Sequence, residues 1–147
     1  MNPVDGSARR VVIADDDLPV RALLRHTLAR DARFVVVGEA GDGSEALEVV
    51  AETDPDLLLL DLVMPEMDGL AVLHALGSTS RPTVVVLTGI DDDLEDQALS
   101  GGAAAYLEKG SAFDALTDRL AQVLGDQETT IEVPTRDTVS PRPSASN

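Results

Sequence analysis

Five short apolar runs, at residues 11–14, 34–38, 57–60, 83–87 and 103–107, are separated by longer segments in which apolar residues recur at helical spacing. The runs are β-branched or Leu-rich and do not alternate with polar residues, which is how strands buried on both faces of a parallel sheet read. Between them, Val20, Leu23, Leu24 and Leu28 mark one helical stripe, and Ala46, Leu47, Val49 and Val50 a second. Leu70, Leu73 and Leu76 mark a third, and Phe113, Leu116, Leu120, Val123 and Leu124 a last one. Each helix is therefore expected to bury one face. Residues 92–100 carry only Leu94, Ala98 and Leu99 as apolar positions before Gly101-Gly102, so this helix is expected to be short and mobile. The acidic run Asp91-Asp92-Asp93 before it reads as a solvated loop that caps it.

Strand and helix alternate five times with short connections, which predicts an α/β fold: a parallel sheet covered by helices on both sides. In such sheets the ligand site lies outside the carboxyl ends of the strands. Those ends carry Asp15, Asp16 and Asp17 after the first run, Asp61 after the third, Thr88 after the fourth, and Glu108 and Lys109 after the fifth. Carboxylates, a hydroxyl and an ammonium are thus expected to converge from distant parts of the chain.

Composition narrows the chemistry. At 147 residues the chain suits one domain with a real core. The absence of cysteine excludes disulfides and thiolate metal sites and favours a reducing compartment. No apolar run approaches the ~20 residues of a membrane span, so a cytoplasmic protein is expected, with no membrane partner. A net charge of −16 argues against direct nucleic-acid binding, which needs clustered Lys and Arg. Residues 1–9 are expected to be a flexible N-terminus, 10–125 the folded domain, and 126–147, rich in Ser, Thr and Pro, a disordered tail.

Two or three carboxylates within ~4 Å of one another repel by a few kcal/mol at an effective dielectric of about 20, so a cation is needed among them. Oxygen ligands without His or Cys suit a hard divalent ion, and few carboxylates with room for water and phosphate oxygens favour Mg²⁺. With Lys109 and Thr88 contacting the remaining oxygens of a transferring phosphoryl group, Asp61 becomes its acceptor and forms an acyl phosphate.

The chain here resembles the receiver domain of two-component response regulators, over residues 10–124. The resemblance is carried jointly by the acidic pair after the first strand, the segment Asp61-Leu-Val-Met-Pro-Glu-Met-Asp-Gly69, Leu87-Thr88, and Tyr106-Leu-Glu-Lys109. It implies a flavodoxin-like (βα)5 three-layer sandwich with strand order 2-1-3-4-5. It implies Asp61 as the phosphorylation site, Asp15 and Asp16 as the metal-binding pair with Asp61 and the backbone carbonyl of Val63, and Lys109 as the phosphoryl contact. Arg21 follows the pair at the family spacing, which makes Asp17 a helix-starting residue. Thr88 and Tyr106 become the hydroxyl and the aromatic side chain of the switch. The implied donor is a sensor histidine kinase or a phosphotransfer protein. The implied output surface is the fourth helix, fifth strand and fifth helix, read by a downstream protein or a second copy. Without room for a DNA-binding output domain, the chain is expected to be a stand-alone receiver or part of a longer regulator.

Three departures from the family pattern involve four positions. Gly110 stands where Pro usually follows the lysine, and Gly89 where Ala usually follows the hydroxyl, so both loops are expected to be looser. Val63 and Ile90 offer no group to position an attacking water, which implies slow self-dephosphorylation. Other readings of the same residues are a pseudo-receiver that binds partners without phosphorylation, and a haloacid-dehalogenase-type phosphatase built on Asp15-x-Asp17. Asp16 and Asp17 also suit helix capping alone, Met64 and Met67 read as packing, and His26 and His74 carry no assigned role.

Overall fold

The computed structural model describes residues 8–64, 68–77, 82–88, 95–109 and 115–125. Along them run β1 (Arg9–Ala14), α1 (Leu18–Ala29), β2 (Phe34–Ala40), α2 (Gly43–Thr53) and β3 (Leu57–Leu60). Then follow α3 (Gly69–Leu76), β4 (Thr83–Thr88), α4 (Glu95–Ser100), β5 (Ala105–Glu108) and α5 (Leu116–Leu124). The strands form one parallel sheet in the order β2-β1-β3-β4-β5, the flavodoxin-like arrangement expected from the sequence.

Successive residues of a strand point to opposite faces, and the two sets fill two separate cores. Val12, Ala14, Leu58, Leu60, Val84 and Val86 pack with Ala46 and Val50 of α2, Val72 and Leu73 of α3, and Ala98 of α4. Val11, Ile13, Leu57, Leu59, Val85 and Leu87 pack on the other face with Leu24 and Leu28 of α1 and Leu116 and Leu120 of α5. Residues 11–14 of β1, all of β3 and residues 84–87 of β4 are apolar because both of their faces lie under helices. At the edges the expectation of burial on both faces fails. In β2, Val35 is exposed and residues 36–39 are only half-buried, since no strand flanks it on the outer side.

The boundaries shift for identifiable reasons. β1 starts at Arg9, inside the segment expected to be flexible, because Arg9 N–H donates to Arg33 O and Arg9 pairs with Phe34. β2 runs on to Ala40, which pairs with Ala14, and an irregularity between Val11 and Val12 takes up the extra residue. β5 starts later than its apolar run, because Ala103 N–H closes α4 on Ala98 O. α4 is six residues long, short as expected. Expectations for Pro65, Met67, Gly89, Ile90, Asp91 to Asp93, Gly110, Phe113 and the segments 1–7 and 126–147 fall outside the described residues.

Asp17, Asp42 and Asp68 each cap a helix, α1, α2 and α3 respectively, by accepting a backbone N–H of the first turn. No described helix is long and apolar enough to cross a membrane. A polar tie closes the far end of the α1 and α5 layer: Asp31 accepts from Arg33 Nη2 at 2.7 Å, and the same nitrogen donates to Asp118 of α5 at 2.9 Å. The hydrogen bonds from Arg33 hold the Asp31 carboxyl at about 2, below its usual 3.8, against the opposing effect of burial. A depressed carboxylate contributes stability above its unfolded value and loses it as the pH falls through the folded one. Asp31→Asn is therefore expected to lower the neutral-pH unfolding free energy by about 1 kcal/mol after allowance for solvent screening. That gap should narrow between about pH 4 and pH 2 in urea melts.

Candidate functional site

The ends of β1 and β3 build the site. Ala14 pairs with Leu60, so the residues that follow, Asp15 and Asp61, leave the sheet side by side. The ladder continues one step into them: Asp15 N–H donates to Ala40 O and Asp61 N–H to Ala14 O, both at 2.9 Å. Among the described residues these two are the only buried charged side chains, 2% and 6% exposed. Burial of two neighbouring carboxylates is costly unless each has partners.

The partners are present. Asp15 Oδ1 accepts from Asp17 N–H at 2.9 Å, and Asp61 Oδ1 accepts from Val63 N–H at 3.1 Å. Lys109, one residue past β5, reaches across β4 with its ammonium 2.7 Å from Asp15 Oδ2 and 3.4 Å from Asp61 Oδ2. Burial and the charge of Asp15 push the Asp61 carboxyl above the usual carboxylate value, although Val63 N–H and Lys109 oppose them. Burial alone would lower the Lys109 ammonium; the hydrogen bond to Asp15 and the charges of both aspartates outweigh it and raise it. Lys109 therefore stays charged.

Asp16 is exposed, yet one oxygen each of Asp15, Asp16 and Asp61 lie within 4.8 Å of one another. Three hard oxygen donors at that spacing, one open to solvent, fit a divalent cation with room for water. Val63 contributes its N–H to Asp61, and its side chain is half exposed. Thr88 is the last residue of β4, in register with Glu108; its side chain lies outside the described residues. Tyr106 is half-buried in β5, in register with Val86, against the core under α2, α3 and α4. Asp17 Oδ1 accepts from Val20 N–H at 3.2 Å as the cap of α1, the helix-starting role expected for it.

Two supports of the site were not read from the sequence. Gly69 begins α3 against the acceptor loop, its N–H donating to Leu62 O at 3.0 Å. A Cβ there would lie 2.5 Å from Asp61 O and 2.6 Å from Leu62 Cα. The Asp68-Gly69 pair was visible as a motif, but not the contact that requires it. The second support is Arg21, whose Nη1 donates to Asp15 O at 2.9 Å. No local pattern reveals that contact beyond the spacing of Arg21 from the acidic pair.

Comparison with known proteins agrees with this geometry. A family model described as response regulator receiver domain matches residues 11–121. The chain is 44% identical over 120 residues to protein-glutamate methylesterase/protein-glutamine glutaminase 5 of Myxococcus xanthus, covering 80% of this chain and 34% of that protein. It is 41% identical over 102 residues to the transcriptional regulatory protein PdtaR of Mycobacterium tuberculosis, covering 69% of this chain and 49% of that one. The chain thus spans only about a third to a half of these relatives. Among solved structures, it superposes on the signal receiver domain of NarL from Mycobacterium tuberculosis with a TM-score of 0.76 at 34% identity, over 82% of this chain and 99% of that one. With the matching family model, the sheet order and the acidic cleft crossed by Lys109, the chain belongs to the response regulator receiver domains of two-component systems.

Proposed function

We propose that Asp61 is the phosphoryl acceptor of this receiver, charged by a sensor histidine kinase or a phosphotransfer protein with Mg²⁺. The observation that carries the reading is the Lys109 ammonium bridging Asp15 and Asp61 beside the exposed Asp16. In the transfer, an Asp61 carboxylate oxygen attacks phosphorus as the bond from phosphorus to the donor nitrogen breaks and its electron pair passes to that nitrogen. With the other ring nitrogen already protonated, the donor leaves as a neutral imidazole and Asp61 carries the acyl phosphate. Lys109 is placed to follow the charge from the carboxylate onto the phosphoryl oxygens. Asp15, Asp16 and Asp61, with the Val63 carbonyl, would hold Mg²⁺, which supplies charge neutralisation for the incoming phosphoryl group. Thr88 at the end of β4 contributes the switch hydroxyl, and Tyr106 the aromatic side chain that follows it.

The chain then acts as a signalling phosphoacceptor in the cytoplasm, catalysing only its own phosphorylation and dephosphorylation. Its output passes through α4, β5 and α5 to a protein partner or a second copy. Acetyl phosphate with Mg²⁺ should add the mass of one phosphoryl group to the intact chain, with no gain after chelation. A pseudo-receiver would gain nothing under either condition. Because a cation that binds only the folded state stabilises it by RT ln(1+[L]/Kd), millimolar Mg²⁺ should also raise the melting temperature. Asp16→Asn should diminish that rise.

A further inference from the structure

Asp15 is clamped through its backbone as well as its carboxylate. Its N–H donates to Ala40 O of β2, and its carbonyl accepts from Arg21 Nη1 of α1 at 2.9 Å. Arg21 is itself held: its Nε donates to Glu39 Oε1 at 3.1 Å, with both side chains largely buried. The other Glu39 oxygen accepts from Arg25 Nη1 at 2.8 Å. The guanidinium also lies against Gly41, where an added Cβ would meet Arg21 Nη1 at 3.0 Å. Arg21 thus places its donors on a carbonyl and on Glu39, and not on the three carboxylates of the acidic cluster.

That orientation has a chemical consequence. A guanidinium paired with Asp15 or Asp16 would compete with a divalent cation for the same oxygens. One turned away by Glu39 can instead fix the turn from which both carboxylates project. We propose that Arg21, aimed by Glu39, is a positioning residue for cation binding: it holds the Asp15 to Asp17 turn so that Asp15 and Asp16 converge with Asp61. This rests on the metal role proposed for those aspartates. Outer groups that orient metal ligands typically change metal affinity by about 10- to 100-fold when removed.

The sign of the effect separates this role from two others. As a nearby positive charge, Arg21 would oppose a cation, so its removal would tighten binding. As a packing element only, its loss would lower stability and leave the affinity of the folded protein unchanged. The test is calorimetric titration of the full chain with MgCl₂, with circular dichroism confirming that each variant is folded. Arg21→Met is expected to weaken Mg²⁺ binding about tenfold or more. Arg21→Lys should also weaken it, because one ammonium lacks the planar fork that spans the Asp15 carbonyl and Glu39. Glu39→Gln keeps an oxygen for Arg21 Nε and should stay near the wild type, whereas Glu39→Ala should move toward Arg21→Met. Folded Arg21→Met or Arg21→Lys protein that binds Mg²⁺ as tightly as the wild type, or more tightly, overturns the proposal while leaving the metal site intact. A wild-type chain that binds no Mg²⁺ overturns both.

Discussion

Asp61→Asn is expected to abolish phosphorylation by acetyl phosphate and, in the metal-free protein, to raise stability at neutral pH. The first effect follows because an amide is too poor a nucleophile to form the acyl phosphate. The second follows from burial. Asp61 is 6% exposed beside the buried Asp15, and desolvation holds its carboxyl above the ordinary value of 3.8. A carboxyl raised on folding favours the native state while protonated and costs stability once the pH rises through its folded value. Asn carries no charge to desolvate, and Lys109 keeps its shorter contact, 2.7 Å to Asp15, so no ammonium is stranded. The variant's advantage should therefore be largest at neutral pH and shrink as the pH falls toward 4. Urea melts across that range measure the stability, and intact mass measures the phosphorylation. A less stable variant at neutral pH would mean that the Lys109 and Val63 contacts outweigh the cost of burial. Phosphoryl mass retained by the variant would place the acceptor elsewhere.

Gly69→Ala is expected to destabilise the protein by about 3 kcal/mol, the upper part of the range for overpacking a tight contact. Helix propensity predicts the opposite sign, since Ala is favoured over Gly within a helix by about 1 kcal/mol. The contact decides between them. The added methyl carbon would lie 2.5 Å from Asp61 O and 2.6 Å from Leu62 Cα, and backbone atoms cannot turn aside as a flexible side chain could. Relief requires moving either the start of α3 or the loop that carries Asp61. Phosphorylation by acetyl phosphate should slow together with the fall in the urea midpoint. A variant that is more stable than the wild type would show that the loop yields freely.

Much of the fold was legible locally, and the reason lies in the layers. The residues of β3, all Leu, are at most 1% exposed, and a strand covered on both faces must be apolar at every position. The apolar run therefore matches β3 end to end. At the edges the same rule weakens: β2 extends to Ala40 through pairing with Ala14, which no local pattern encodes. β5 lost its first residues to the closure of α4. Capping was legible at Asp17 because Arg21 follows the acidic pair at the family spacing, which makes Asp17 the residue that starts α1.

For the site, the sequence by itself determined which residues stand at the strand ends, and so that Asp15, Asp16, Asp61 and Lys109 share one edge of a parallel sheet. The burial of apolar runs follows from periodicity, which is written along the chain, while the strand order is what the resemblance to receiver domains implies. Tertiary structure alone decided how they meet: that Lys109 lies nearer Asp15 than Asp61, 48 positions before it in the chain, that Arg21 grips a carbonyl rather than a carboxylate, and that α3 starts where only glycine fits. These are distances between elements, fixed when the two helix layers close on the sheet, and residue type or spacing does not carry them.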